Sequence, residues 1–129
     1  MSEVVAIIGA SSKEGHYAFQ VQNLLMETGH EIVPVSPLGK GVLEARGFRS
    51  RADYPGSVDT VTMYIGPAKQ DAILDDLLAK APARILFNPG TENAEVEEKL
   101  KQAGIAIRML VLLFMFLELF NHPKITTTD

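Results

Sequence analysis

Short runs of apolar, mostly β-branched residues alternate along the chain with longer segments whose apolar residues recur at helical spacing. Val4–Ile8 is an unbroken apolar run that ends at Gly9, and such a run predicts a central strand covered on both faces. In residues 17–28 the apolar positions 21, 24 and 25 fall at helical spacing, and Gly29 follows where a helix would end. The first unit is therefore predicted as a strand followed by a helix.

The same alternation continues to residue 109. Further strands are predicted at Glu31–Val35, 58–65, 84–87 and 105–109, and further helices at 68–80 and around 96–103. Pro34 cannot donate to a ladder, so it predicts a bulge or a strand end within the second strand. Residues 42–57 are expected to form an irregular connection with one short edge strand near Phe48.

Alternating strands and helices are the signature of βαβ units around a parallel sheet. The prediction is an α/β protein: a three-layer Rossmann-like fold with a mostly parallel five-stranded sheet and helices on both faces. A length of 129 residues, 47% of them hydrophobic, suits one domain over residues 1–129. The structure of residues 110–129 is left open.

Composition removes several function classes. The absence of cysteine excludes disulfides, thiolate metal sites and a cysteine nucleophile. Twelve Lys and Arg against sixteen Asp and Glu give a net charge of −4 without a basic cluster, which argues against nucleic acid as a partner. The N-terminus has neither the basic start nor the long apolar stretch of a secretory signal, so a cytoplasmic protein is expected.

An apolar segment from Met109 to Phe120 is interrupted only by Glu118. It is shorter than the roughly 18 to 20 residues that a membrane-spanning helix requires, so no membrane crossing is expected. The segment is instead predicted to be buried within the fold or at a subunit interface, where it would support a homo-oligomer.

The first strand–helix loop carries the best candidate site, because open parallel sheets bind ligands at the carboxyl ends of their strands. Gly9 permits a tight turn, while amides and hydroxyls can donate to phosphate at a helix N-terminus, to which a lysine adds a full charge. An ordinary strand–helix turn is the alternative interpretation. The candidate residues here are Gly9, Ala10, Ser11, Ser12, Lys13 and, at the helix start, Tyr17.

The second loop distinguishes among nucleotide ligands. The first loop is not a G-x-G-x-x-G fingerprint, because Ser11 stands where the second glycine is required. Nicotinamide cofactors usually have an acidic residue at the end of the second strand, where this chain has Ser36 and Pro37. Lys40 follows and suits a ligand with a phosphate near its ribose. An NAD(P)-binding, oxidoreductase-like domain remains an alternative.

Two further loops supply backbone groups and small residues, as a narrow, flexible ligand arm would require. The fourth loop can also be explained as a Pro-Gly turn followed by a helix cap at Thr91 or Asn93. The candidate residues are Ile65, Gly66 and Pro67 in the third loop, and Asn88, Pro89, Gly90 and Thr91 in the fourth.

These motifs together resemble the small bacterial CoA-binding domain proteins, which are similar to the CoA-binding domain of the succinyl-CoA synthetase alpha subunit. The resemblance spans roughly residues 3 to 113 and rests on four segments: Gly9-Ala10-Ser11, Val35-Ser36-Pro37, Val58-Asp59-Thr60-Val61 with Gly66-Pro67, and Phe87 to Asn93. The chain departs from the family pattern after the last strand, where Arg108 and Met109 precede Leu110-Val111 and a strongly apolar run follows. No site residue is therefore transferred beyond Gly104.

The resemblance implies a Rossmann-like domain that binds coenzyme A or an acyl-CoA. It implies that the CoA phosphates lie over the loop from Gly9 to Lys13. It further implies that the nucleotide lies beside Ser36, Pro37 and Lys40, and that the pantetheine arm passes the third and fourth loops.

No catalytic constellation stands out in the sequence. His16, His30 and His122 lack metal-ligand spacing, and no nucleophile elbow with a Ser-His-Asp order appears. Of the three, His16 lies at the phosphate loop and can hydrogen-bond a ligand there. The expectation is therefore binding without catalysis and without a metal; the alternative to a cofactor-binding protein is an interaction subunit that docks through the apolar C-terminal segment.

Overall fold

The computed structural model describes residues 2–110, which form a parallel sheet with helices packed on it. The strands are β1 (Val4–Ile8), β2 (Glu31–Val35), β3 (Thr60–Met63), β4 (Arg84–Phe87) and β5 (Ala106–Met109). The helices are α1 (Tyr17–Glu27), α2 (Asp71–Ala79) and α3 (Ala94–Gln102), and short 3₁₀ turns lie at Arg51–Asp53 and Pro67–Lys69.

The five strands lie in the order β2-β1-β3-β4-β5, and every neighbouring pair is parallel. Val5 and Ile7 of β1 pack with α1 on one face, whereas Ala6 and Ile8 pack with α2 and α3 on the other. The predicted three-layer Rossmann-like fold is confirmed. The chain leaves β1 towards β2 but leaves β3 in the opposite direction, so the switch point where such folds bind ligands lies between β1 and β3.

The prediction of a bulge or strand end at Pro34 is wrong. β2 pairs with β1 in unbroken register from Glu31 to Val35, with Pro34 opposite Ile7. The carbonyl of Pro34 accepts a hydrogen bond from the Phe48 amide at 2.9 Å, on the side of β2 away from β1. β2 is the edge strand, and the nitrogen of Pro34 points away from β1. Its lack of a hydrogen therefore costs the sheet no ladder bond.

The connection between β2 and β3 is irregular, as predicted, and the expected edge strand near Phe48 is reduced to one parallel bridge with Val35. Leu43 and Glu44 form a tight turn with φ of 49° and 70°, backbone values that residues other than glycine rarely adopt. Gly47 packs so closely on this loop that a Cβ there would lie 2.0 Å from the carbonyl oxygen of Lys40.

Most of the predicted apolar segment, residues 111–120, lies outside the described residues. Of its first two residues, Met109 ends β5 and Leu110 is buried against the α1 face of the sheet. None of the helices within residues 2–110 has the length and apolarity needed to cross a lipid bilayer.

Replacement of Gly47 by Ala is expected to lower the free energy of unfolding by about 3 kcal/mol, the upper end of the usual cost of overpacking. The added methyl group would meet the Lys40 backbone, which cannot rotate away as a side chain can. Gly15→Ala is the matched control, because no atom lies within 4 Å of a Cβ there. Chemical denaturation of both variants tests the prediction, and equal stabilities would contradict it.

Candidate cofactor-binding site at the carboxyl ends of the strands

Gly9 brings the loop after β1 into contact with the loop after β3. Its φ is +94°, and a Cβ at this position would lie 3.0 Å from Ile65 Cγ2 and 3.2 Å from the carbonyl carbon of Tyr64. Both the backbone conformation and the space therefore require glycine. The first and third loops are adjacent at the switch point, as the sequence predicts.

Backbone hydrogen bonds join the first loop to the end of β2. The amides of Gly9 and Ala10 both donate to the carbonyl oxygen of Val35, at 2.9 and 3.1 Å. Lys13 donates its amide to the hydroxyl oxygen of Ser11 at 3.1 Å. The amides of Ser11 and Ser12 form no hydrogen bond within residues 2–110, so both are available to a ligand.

A cavity of about 400 Å³ opens between the first loop and the loop after β2, within the roughly 300 to 1,000 Å³ typical of small-molecule sites. Seven of the predicted site residues line it: Ala10, Ser11, Ser12, Lys13, Ser36, Pro37 and Lys40. Leu38 and Val42 complete the lining, and sequence reasoning missed both. The signal in the sequence is that Leu38 is an apolar residue within a polar turn. In the structure its side chain is 67% exposed.

Two lysines give this cavity its positive charge. The side chains of Lys13 and Lys40 are exposed, and neither pairs with a carboxylate within the described part of the chain. Lys40 follows a turn in which Gly39 donates its amide to the carbonyl of Ser36 at 3.0 Å. The arrangement therefore offers two separate ammonium groups to an anionic ligand.

The third and fourth loops are tied to each other, although neither lines the 400 Å³ cavity. Asn88 donates its side-chain amide to Thr62 Oγ1 and to the carbonyl of Met63, both at 2.8 Å. Gln70 donates to the carbonyls of Ile65 and Thr91, at 3.2 and 2.6 Å. The predicted residues Ile65, Gly66, Pro67, Asn88, Pro89, Gly90 and Thr91 thus form one loop cluster beside the cavity.

The fourth loop also begins α3, and the helix cap is Asn93 rather than Thr91. Asn93 Oδ1 accepts from the amide of Val96 at 3.2 Å, and Glu97 accepts from the amide of Asn93 at 2.8 Å. Thr91 is buried, and its hydroxyl and amide both donate to the carbonyl of Asn88. Its polar groups hold the loop, so any contribution of Thr91 to binding is through loop shape.

The described histidines occupy different environments. His16 Nδ1 lies 2.8 Å from Ser11 Oγ at the first loop. His30 is buried at the other end of the sheet, where its Nδ1 accepts from the amide of Glu3, and burial lowers its pKa. His122 lies outside the described residues. Within residues 2–110 no three His, Asp or Glu side chains are grouped so as to hold a metal ion.

Tyrosines flank the first loop. Tyr17 starts α1 with 58% of its side chain exposed, whereas Tyr64 follows β3 and is largely buried. Burial raises the pKa of Tyr64 to about 12. The Tyr64 hydroxyl has no hydrogen-bond partner of acceptable geometry in the described region.

Fold and site together define a Rossmann-like domain with a lysine-lined cavity at the carboxyl ends of β1 and β2. A family model described as "CoA binding domain" matches residues 3–112. The chain therefore belongs to the CoA binding domain family, and the resemblance drawn from its motifs is confirmed.

Individual relatives agree with this assignment. The uncharacterized protein YneT of Bacillus subtilis is 22% identical over 108 residues, which are 84% of this chain and 80% of that protein. A crystal structure of an uncharacterized protein is 36% identical, with a TM-score of 0.81 over 89% of this chain and 94% of the other. A hypothetical protein from Pyrococcus horikoshii is 26% identical, with a TM-score of 0.83 over 91% and 82% of the two chains.

Tyr64→Phe is expected to change stability at pH 7 by no more than about 1 kcal/mol, because it removes an unpartnered hydroxyl. The folded-state pKa of about 12 lies above the ordinary value of 10.0, so the stability contribution of the neutral phenol is present below pH 10 and lost as pH rises towards 12. The variant should therefore lose less stability than the wild type over that interval.

Chemical denaturation at pH 7, 10 and 11.5 measures this difference. Tyr17→Phe is the control, since more than half of that side chain is exposed. If the free energy of unfolding falls equally steeply with pH in wild type and in Tyr64→Phe, Tyr64 does not have the raised pKa.

Proposed function

We propose that this protein binds coenzyme A or an acyl-CoA in the cavity between the first and second loops. The phosphates lie over Ser11, Ser12 and Lys13, and the nucleotide lies beside Ser36, Pro37 and Lys40. The observation that carries the proposal is the cavity itself. It is lined by Ser11 and Ser12, whose amides form no hydrogen bond within residues 2–110, and by Lys13 and Lys40, which pair with no carboxylate there. Family membership supports it independently.

Charge placement favours CoA over NAD. CoA carries a diphosphate and a separate phosphate on its ribose, and two separated lysines can each bind one of them. NAD has no ribose phosphate, and its ribose hydroxyls usually bind an acidic residue at the end of the second strand. Ser36 and Pro37 occupy that position, and the exposed Leu38 beside them offers an apolar surface to the base.

The loop cluster at residues 65–67 and 88–91 supports the other half of the proposal. It lies next to the first loop through the contact of Gly9 with Ile65, so an arm that leaves the phosphates towards β3 and β4 passes over it. Its exposed members, Gly66, Pro67, Pro89 and Gly90, present little more than backbone. We propose that the pantetheine arm lies there, and that the protein's role is binding without a catalytic step.

Lys13→Ala and Lys40→Ala should each weaken CoA binding by about 1 to 3 kcal/mol, because each removes a charge-assisted hydrogen bond to phosphate. Lys99→Ala is the matched control, since Lys99 lies in the last turn of α3 rather than at the cavity. Isothermal titration calorimetry with CoA and with NAD measures the effect. Unchanged CoA affinity in both cavity variants would rule out the proposed pose.

Mass spectrometry of small molecules released from the natively purified protein tests the ligand class directly. CoA or an acyl-CoA is the expected species. Tighter binding of NAD or NADP than of CoA by the wild-type protein would replace the proposal with a nicotinamide-binding function.

A further inference from the structure

Two fully buried glutamines, Gln22 in α1 and Gln70 at the start of α2, have no exposed surface at all. Each donates its side-chain amide to loop carbonyls, and each leaves its Oε1 without a hydrogen-bond partner within residues 2–110. An unsatisfied buried acceptor is costly to stability, so an apolar side chain would serve the core better. What these glutamines provide is therefore the bond from their amide.

Gln22 supports the nucleotide side of the site. Its Nε2 lies 2.7 Å from the carbonyl oxygen of Val42, which lines the cavity two residues after Lys40. That loop belongs to no helix or strand, and it contains the unfavourable turn at Leu43 and Glu44. The Gln22 amide thus fixes the wall that carries Lys40 against the rigid helix α1.

Gln70 supports the loop cluster on the other side. Its Nε2 lies 2.6 Å from the carbonyl oxygen of Thr91 and 3.2 Å from that of Ile65, so one amide joins the loops after β3 and β4. A weaker parallel connection is exposed, where Asn93 Nδ2 donates to the carbonyl of Pro67 at 3.1 Å. Neither contact touches the cavity lining.

We propose that Gln22 and Gln70 are positioning residues that separately set the affinity for the two halves of the ligand. Gln22 governs binding of the nucleotide, and Gln70 governs binding of the pantetheine arm. This inference rests on the proposed CoA function and adds to it a division of the site into two independently supported parts.

The test crosses two variants with two ligands. Gln22→Met and Gln70→Met keep the side-chain length but remove the donor, and the ligands are CoA and 3′-phosphoadenosine 5′-diphosphate, which lacks the arm. Gln22→Met should weaken binding of both ligands about tenfold. Gln70→Met should weaken CoA about tenfold and leave the nucleotide unaffected. Gln102→Met, an exposed position on α3, is the control for both ligands.

Calorimetric dissociation constants decide the outcome, with unliganded unfolding curves recorded for every variant. The inference is overturned if Gln70→Met weakens both ligands equally, if it weakens neither, or if wild-type protein binds CoA no more tightly than the nucleotide. Wild-type protein that binds neither ligand would instead overturn the proposed function.

A second variant covers the case in which Gln70→Met does not fold. Asn93→Ser retains a helix-capping side chain but loses the bond to the Pro67 carbonyl. It should weaken CoA by about two- to fivefold and leave the nucleotide unaffected, because an exposed bond contributes less than a buried one. Equal weakening of both ligands, or of neither, would also contradict the role of this loop pair.

Discussion

The close approach of three chain segments at Gly9 is the constraint on which the rest of the site depends. The Val35 carbonyl accepts two amides from the first loop, and Ile65 packs where a side chain on Gly9 would have to lie. These contacts fix the ends of β1, β2 and β3 relative to one another. The loop that carries Ser11 and Ser12 is consequently tied to the ends of β2 and β3 through Gly9 and Ala10, without a charged side chain among these contacts.

The loops that form the site differ in how they are supported. The first loop lies between a central strand and α1, so regular structure holds both of its ends. The loop after β2 is not followed directly by a helix. Its shape depends on the close packing of Gly47, the bridge at Phe48 and the hydrogen bond from the Gln22 amide. The cavity thus combines a first loop held at both ends by regular structure with a second loop whose shape is set by a few specific contacts.

Much of this organisation could be predicted from the sequence because hydrophobic period and glycine position report local structure. The runs at β1 and β4, and the loops that follow them, are of that kind. The interpretation of Pro34 failed because sequence does not show which way an N–H points or which strand lies at the edge. Gln22 and Gln70 were missed for a related reason: their importance comes from partners distant in the chain.

The orientation of Pro34 has a consequence for how copies of this chain can associate. On the outer side of β2, Phe48 already bonds to the carbonyl of Pro34, and its own carbonyl accepts from Ser36. A neighbouring molecule that tried to lengthen the sheet there would have to displace Phe48 and would still find no donor at Pro34. The β2 border of the sheet, whose following loop lines the cavity, is thus protected from strand addition by a neighbouring copy.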